Sequence, residues 1–237
     1  MKHWRLITYN IHKGVTPFRN MSVIDRVRIS LVESKADFLL LQEVVGERRE
    51  SAKKVTRHLE DLADESWPHH AYGKNAVFPT RNHGNAILSS IPITKFHNKD
   101  LSIYSVEKRG LLHAELEWEK PGLHLCSVHL DLFEFTRKKQ VEKLIDYLRA
   151  YVPKNAPLIL GGDFNDWAEK VGHRLEKALG LEELSQPSFP AWHPILRLDR
   201  LYVRGIKVTK FQALEKAPWN RLSDHLPLMV EFQVKKK

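Results

Sequence analysis

One cysteine in 237 residues leaves no partner for an internal disulfide. Cys126 stands in the apolar run Leu-His-Leu-Cys-Ser-Val, which marks it as a packed core thiol. Long apolar runs are missing too: none approaches the ~18 residues that a membrane-spanning helix needs. The N-terminal Met-Lys-His-Trp-Arg-Leu-Ile-Thr-Tyr-Asn has charges and an amide where a signal peptide carries its apolar stretch, so mature, cytoplasmic sequence is expected. No segment is dominated by Gly, Pro or Ser, and no repeat of roughly 20 to 50 residues stands out, which excludes collagen-like, mucin-like and disordered chains. Acidic residues are in deficit. Against 38 Lys and Arg stand 29 Asp and Glu, a net charge of +9 that favours polyanionic partners: nucleic acid, anionic lipid head groups or phosphorylated small molecules. Part of this excess is the terminal Lys235-Lys236-Lys237.

What is present is an ordinary globular composition, 42% hydrophobic and 28% charged, sufficient for a substantial core. With no linker among the short Pro-punctuated loops, the expectation is a single domain over residues 1–237, monomeric by default. Short β-type runs recur at 5–11, 37–44, 85–89, 111–118, 123–130, 158–162, 197–203 and 226–234. Helical periodicity covers 22–34, where Ser22 is a candidate N-cap, and also 135–151 and 168–179. Hairpin-like strand neighbours mixed with helix-linked ones predict two mixed sheets packed face to face with helices outside, a four-layer α/β sandwich.

Metal-capable polar residues fall where apolar runs stop. Asn10 and His12 follow the first strand, Glu43 ends the second, and His129 ends the run before Leu130. Asp163 and Asn165 follow Leu158-Ile159-Leu160-Gly161-Gly162, while Asp224 and His225 precede the last strand. Phosphoester hydrolysis needs a hard cation on the non-bridging oxygens, a group to orient or deprotonate water, and donors for the growing negative charge. Carboxylate and amide oxygens such as Glu43, Asp224 and Asn10 suit Mg²⁺ or Mn²⁺, whereas zinc would recruit more His and Cys.

The stretches Thr8-Tyr9-Asn10-Ile11-His12-Lys13-Gly14, Leu41-Gln42-Glu43-Val44, Gly84-Asn85-Ala86-Ile87-Leu88-Ser89, Ser127-Val128-His129-Leu130, Gly161-Gly162-Asp163-Phe164-Asn165, Leu198-Asp199-Arg200 and Ser223-Asp224-His225-Leu226-Pro227-Leu228 together resemble the ordered motif series of the endonuclease/exonuclease/phosphatase superfamily. Its members include deoxyribonucleases, abasic-site endonucleases, sphingomyelinases and inositol-polyphosphate phosphatases, all with the sandwich expected above. The resemblance implies that Glu43 is the principal metal-binding glutamate, with Asn10 and Asp224 beside it. It implies that Asp163 orients the attacking water, that Asn165 contacts the scissile phosphate, and that His225, fixed by Asp199, meets the transition-state phosphate. His129 resembles the second histidine of the deoxyribonuclease-like branch, with Asn85 near it.

Departures from the pattern bear on substrate. His12 stands where abasic-site endonucleases carry an acidic residue, and Ser-Val-His129-Leu replaces their Tyr-containing loop. Arg109 could place a guanidinium on a phosphate, and Trp192 and Trp167 could stack on a base or meet a lipid head group. Asn85, Arg109, Trp192 and His12 are therefore the candidate substrate contacts, and Arg137-Lys138-Lys139 a candidate backbone-tracking strip. The leading expectation is a nuclease acting on DNA. The alternative is a phosphodiesterase or phosphatase for phospholipid, sphingomyelin or inositol phosphates, against which the sequence shows no membrane-docking insertion; the remote one is an inactive binding module.

Overall fold

A computed structural model describes residues 2–16, 22–51, 54–56, 58–63, 65–79, 81–104 and 108–234. The chain runs β1 (Trp4–Asn10), α1 (Ile24–Glu33), β2 (Phe38–Ser51), β3 (Lys54–Thr56), α2 (His58–Leu62), β4 (His69–Phe78), β5 (Arg81–Ser89), β6 (Ile93–Asp100), β7 (Gly110–Leu116) and β8 (Leu123–His129). It continues through α3 (Glu134–Tyr151), β9 (Leu158–Asp163), α4 (Gly172–Leu179), β10 (Glu182–Ser185), β11 (Asp199–Arg204), β12 (Ile206–Ala213) and β13 (Leu228–Val234). One sheet has the order β12-β13-β1-β2-β5-β4, with β3 paired to β2; the other has the order β10-β11-β9-β8-β7-β6. Both are mixed: β1 and β2 are parallel at the centre of the first, β8 and β9 at the centre of the second.

Three apolar clusters define four layers. Leu6, Phe38, Leu40, Leu125, Ile159, Leu201 and Phe232 fill the space between the sheets. Val27 and Leu31 of α1 cover Ile7, Leu39 and Leu41 on the outside of the first sheet. Val141, Leu144 and Leu148 of α3, with Leu175 of α4, cover Val128, Leu158 and Leu160 on the outside of the second. The expected sandwich is therefore the architecture, and the reason is strand periodicity: successive side chains of a central strand go to opposite faces, so apolar runs on both faces require a cover on both.

Where elements differ from expectation, local context explains it. Ser22 does not cap α1. Val23 holds that position without a side-chain bond, and Ser22 forms an isolated bridge with Val15. The helix expected from residue 168 begins at Gly172, because Glu169 has φ of +54° and the Asp166 carboxylate accepts the Val171 amide at 2.7 Å. Strands β4, β6, β10 and β12 were not expected. They lie at or next to sheet edges, and β6, exposed along nearly its whole length, shows no apolar alternation to find.

Candidate active site

Register, more than proximity in sequence, assembles the site. His129 is paired with Asp163 across β8 and β9, and Asp163 with Asp199 across β9 and β11, so three titratable residues stand in one row. All three belong to the face that looks at the other sheet. On that face the side chains grade from apolar in the middle, through Thr8, Gln42 and Ser127, to Asn10, His129, Asp163 and Asp199 at the end. The parallel pairs put the C-terminal ends of β1, β2, β8 and β9 at one edge, and β13 enters antiparallel to β1 from that edge, bringing Asp224 and His225 with it.

Polar bonds lock the two sheets together beneath this edge. The Gln42 amide donates to Ser127 Oγ at 3.0 Å, and Asn10 Nδ2 donates to Asp163 Oδ2 at 3.0 Å. Asn85, expected as a substrate contact, is buried and spends its amide nitrogen on the carbonyls of Gly110 (2.9 Å) and Ser127 (3.1 Å), which leaves its oxygen as the uncommitted atom. Gly161 makes the close approach of the sheets possible: a Cβ there would lie 2.5 Å from Leu201 Cδ2 and 2.9 Å from Leu40 Cδ1.

His225 Nδ1 lies 2.7 Å from Asp199 Oδ2, and the same oxygen accepts Ser188 Oγ at 2.6 Å. The other ring nitrogen of His225 is 3.8 Å from Asp163 Oδ2. Burial disfavours the imidazolium, yet Asp199 and Asp163 outweigh it and lift His225 to about 10. Asp163 is pushed upward by burial, with His225 pulling the other way. Its Oδ1 accepts the Asn165 backbone amide at 2.9 Å, an Asx turn that places Asn165 at φ of +48°. Asn165 Nδ2 is bonded to the Leu130 carbonyl at 2.9 Å.

His129 is held well below the ordinary histidine range by burial and then by Arg109, whose Nη1 lies 3.1 and 3.2 Å from its two ring nitrogens. Arg109 therefore reaches the site, and His129 is a neutral ring within it. On the opposite flank the expected metal residues are neutralised by the loop after β1. His12 Nδ1 is 3.0 Å from Asp224 Oδ1, and Lys13 Nζ is 3.2 Å from Glu43 Oε2. The His12 pKa is raised, chiefly by its bond to Asp224, and the backbone amide of His12 donates to Asn10 Oδ1 at 3.1 Å. Glu43 sits in a bulge of β2 between Leu41 and Val44 with φ of +55°. Four of the six non-glycine residues with positive φ among the described residues, His12, Lys13, Glu43 and Asn165, are in this site, where such strain concentrates.

A hard cation suits the donors. Glu43 Oε2 is buried and faces only the Lys13 ammonium, which a cation can replace, and Asn10 Oδ1 and the Asp224 carboxylate add oxygen to the same flank. A second group of potential ligands, Asp163, Asp199 and His225, has donor atoms within 4.8 Å of one another. There a metal would have to displace the short His225–Asp199 bond, so Glu43 and Asp224 are the better fit.

Two residues near the site carry no signal in the sequence. Ser188 and Phe189, which contact Asp199 and His225, belong to a loop without a motif. Arg200 and Arg137 are buried. Arg200 donates to Asp166 Oδ2 and to the Asp166 carbonyl, both at 3.0 Å, and Arg137 donates to the Leu132 carbonyl at 2.9 Å. The strip expected at Arg137-Lys138-Lys139 is thus divided, because residue 137 falls on the inward face of α3 and its neighbours on the outward one. Trp192 is half-exposed beside Ala191, whose amide donates to the Asp224 carbonyl at 2.7 Å.

This combination of two packed mixed sheets and a carboxylate–histidine edge is that of a phosphoesterase fold. A profile of the Endonuclease/Exonuclease/phosphatase family matches residues 7–225, and the chain belongs to that family. It is 38% identical over 245 residues to the uncharacterised protein YbhP of Escherichia coli (strain K12), covering 98% of this chain and 96% of that one. Among solved structures it is similar to an endonuclease/exonuclease/phosphatase from Beutenbergia cavernae, with a TM-score of 0.77 at 20% identity over 99% of this chain and 72% of that one. It is also similar to a mannosyl-6-phosphatase from Bacteroides thetaiotaomicron, with a TM-score of 0.74 at 16% identity over 97% and 99% of the two chains.

Proposed function

We propose that the chain is a divalent-metal-dependent hydrolase of phosphodiesters acting by in-line attack of water, and that residues 1–237 work as one catalytic domain. The observation that carries this reading is the Asp199–His225 pair set against Asp163, a charge stabiliser facing a base of raised pKa. In the reaction Asp163, steadied by Asn10 and the Asn165 amide, orients water and takes its proton as the water oxygen bonds to phosphorus. His225, held as imidazolium by Asp199, donates a hydrogen bond to a non-bridging oxygen. Asn165 faces the same phosphate through its remaining amide hydrogen. The bond from phosphorus to the leaving oxygen breaks, and that oxygen takes a proton from solvent, with the neutral N–H of His129 and the Arg109 guanidinium beside it. A Mg²⁺ or Mn²⁺ ion held by Glu43, Asn10 and Asp224 would supply neutralisation of the phosphate charge.

The net charge of +9 supports a polyanionic substrate; the expectation of DNA from the sequence rests on that charge and on the resemblance carried by His129. Against a backbone-tracking strip stands the burial of Arg137 and Arg200. Turnover of bis(4-nitrophenyl) phosphate with Mg²⁺, Mn²⁺ or EDTA tests the centre without reference to the natural substrate. Metal-dependent cleavage is expected in the wild type and none in Asp163→Asn, at nearly unchanged Tm. A variant that still turns over removes Asp163 from the mechanism.

A further inference from the structure

Eleven large apolar side chains are exposed among the described residues, and six of them lie on three segments at the strand ends that carry the site: Leu132 and Phe133 after β8 with Phe135 in the first turn of α3, Trp167 after β9, and Trp192 and Ile195 before β11. Contacts join these segments to one another and to the centre. Arg137 bonds the carbonyls of Asp131 and Leu132 and reaches Asp166 at 3.7 Å, while Lys170 pairs with Glu134 at 2.9 Å. Trp167 meets Phe189 edge-on at 6.0 Å, and Phe189 lies 5.0 Å from the ring of His225. The segments that carry these apolar side chains therefore border the site, with Trp167 linked to His225 through Phe189.

A single exposed Leu or Phe is unremarkable on a protein surface, but a group of six around a hydrolytic centre marks a contact surface. Phe133 is 72% exposed and Ile195 64%, so they project into solvent instead of completing the core. Cations stand among them. Lys138, Lys139 and Lys143 are exposed on α3 and Lys170 lies on the facing loop; Lys138 and Lys170 both pair with Glu134 at 2.9 Å, Lys143 donates to the Ser102 carbonyl at 2.8 Å, and Lys139 Nζ is 4.4 Å from the centre of the Phe135 ring. Aromatic and aliphatic tips interleaved with lysine suit the head-group boundary of a membrane, where rings and chains enter the acyl region and ammonium groups meet lipid phosphates. A nucleic-acid strand would use the rings for stacking but leaves Leu132 and Ile195 without a partner.

We propose that this rim docks the chain on an anionic phospholipid bilayer and that the phosphoester of a phospholipid head group is the substrate presented to the centre. The docking stands by itself; the substrate assignment rests on the phosphodiesterase reading above.

Sedimentation with vesicles separates the two. Wild-type protein is expected to partition onto phosphatidylcholine vesicles containing about one-third phosphatidylglycerol more strongly than onto phosphatidylcholine alone. Phe133→Ser combined with Phe135→Ser is expected to weaken that partition by about tenfold or more, with Tm and metal-dependent turnover of bis(4-nitrophenyl) phosphate unchanged. No vesicle binding, equal binding by the double variant, or a defect confined to single-stranded DNA binding overturns the docking surface. Vesicle binding with turnover of the soluble diester but of no phospholipid overturns the substrate class alone. Vesicle binding with no turnover of any ester overturns the phosphodiesterase reading and leaves the docking surface in place.

Discussion

Asp199 Oδ2 receives two short bonds at once, from His225 Nδ1 at 2.7 Å and from Ser188 Oγ at 2.6 Å. A carboxylate with both donors fixed selects the tautomer and plane of the imidazole and favours its charged form. Asp199→Asn is expected to lower kcat by about 10²–10⁴ with a much smaller change in KM. Ser188→Ala, which leaves the carboxylate in place, is expected to cost far less. Wild-type kcat for Asp199→Asn across the neutral range would remove His225 from the chemistry.

Glu43 faces the cleft from a strained bulge and is balanced by Lys13 at 3.2 Å. Glu43→Gln removes the charge but keeps the shape. Its Mn²⁺ affinity, read by calorimetry on the protein without substrate, is expected to fall by about tenfold or more. Lys13→Met is expected to raise affinity, because it removes the cation competing for the same oxygen. Unchanged affinity in Glu43→Gln would place the metal elsewhere, with Asp163 and Asp199 the next candidates.

The Asp166–Arg200 pair is structural: both partners are buried and Arg200 bonds the carboxylate and the carbonyl of one residue. Removing Arg200 leaves the buried Asp166 carboxylate with only the Val171 amide at 2.7 Å and Arg137 at 3.7 Å. Arg200→Ala is expected to destabilise the fold by about 3–5 kcal/mol, measured by urea unfolding. A loss under about 1 kcal/mol would mean that water reaches Asp166 and rescues it.

On the far face of the second sheet His113 lies between Tyr147 (3.1 Å) and His124 (2.9 Å) under α3. Burial, then His124, pushes His113 down to about 3, and burial also lowers His124. An unfolded chain binds protons at these rings below about pH 6.5 while the folded chain refuses them, so stability is full above that pH and is lost as pH falls toward 3. Each histidine contributes a slope of about 1.4 kcal/mol per pH unit inside its window. Urea unfolding at a series of pH values is expected to show a shallower acid slope for His113→Gln than for the wild type; parallel slopes would mean that the ring protonates in place.

Much of this fold is legible in the amino-acid sequence. Strands covered on both faces announce themselves as apolar runs, so the runs expected for β1, β2, β8, β9 and β13 end within two residues of the strands, apart from the extension of β2 beyond its bulge. Edge strands β6 and β12 alternate little because one face or one side meets water, and pattern cannot reveal them. Of the expected site residues, His129, Asp163 and Asp199 proved to be ladder neighbours. Arg109 and His12 also reach the site, through His129 and Asp224. Asn85 showed a different character once its partners were known, two backbone carbonyls of the opposite sheet.

The sequence by itself determined the layers and the order of the motifs, because period-two alternation and the residues at strand ends are local properties of the chain. Only the tertiary structure decided which charges are available. Arg137 and Lys138 are neighbours in sequence, yet the turn of α3 buries one and exposes the other. The same holds for the aromatic loops. Whether Phe133, Trp167 and Ile195 form one surface depends on the long-range contacts that bring the ends of β8 and β9 together with the loop before β11, and spacing along the chain carries no record of them.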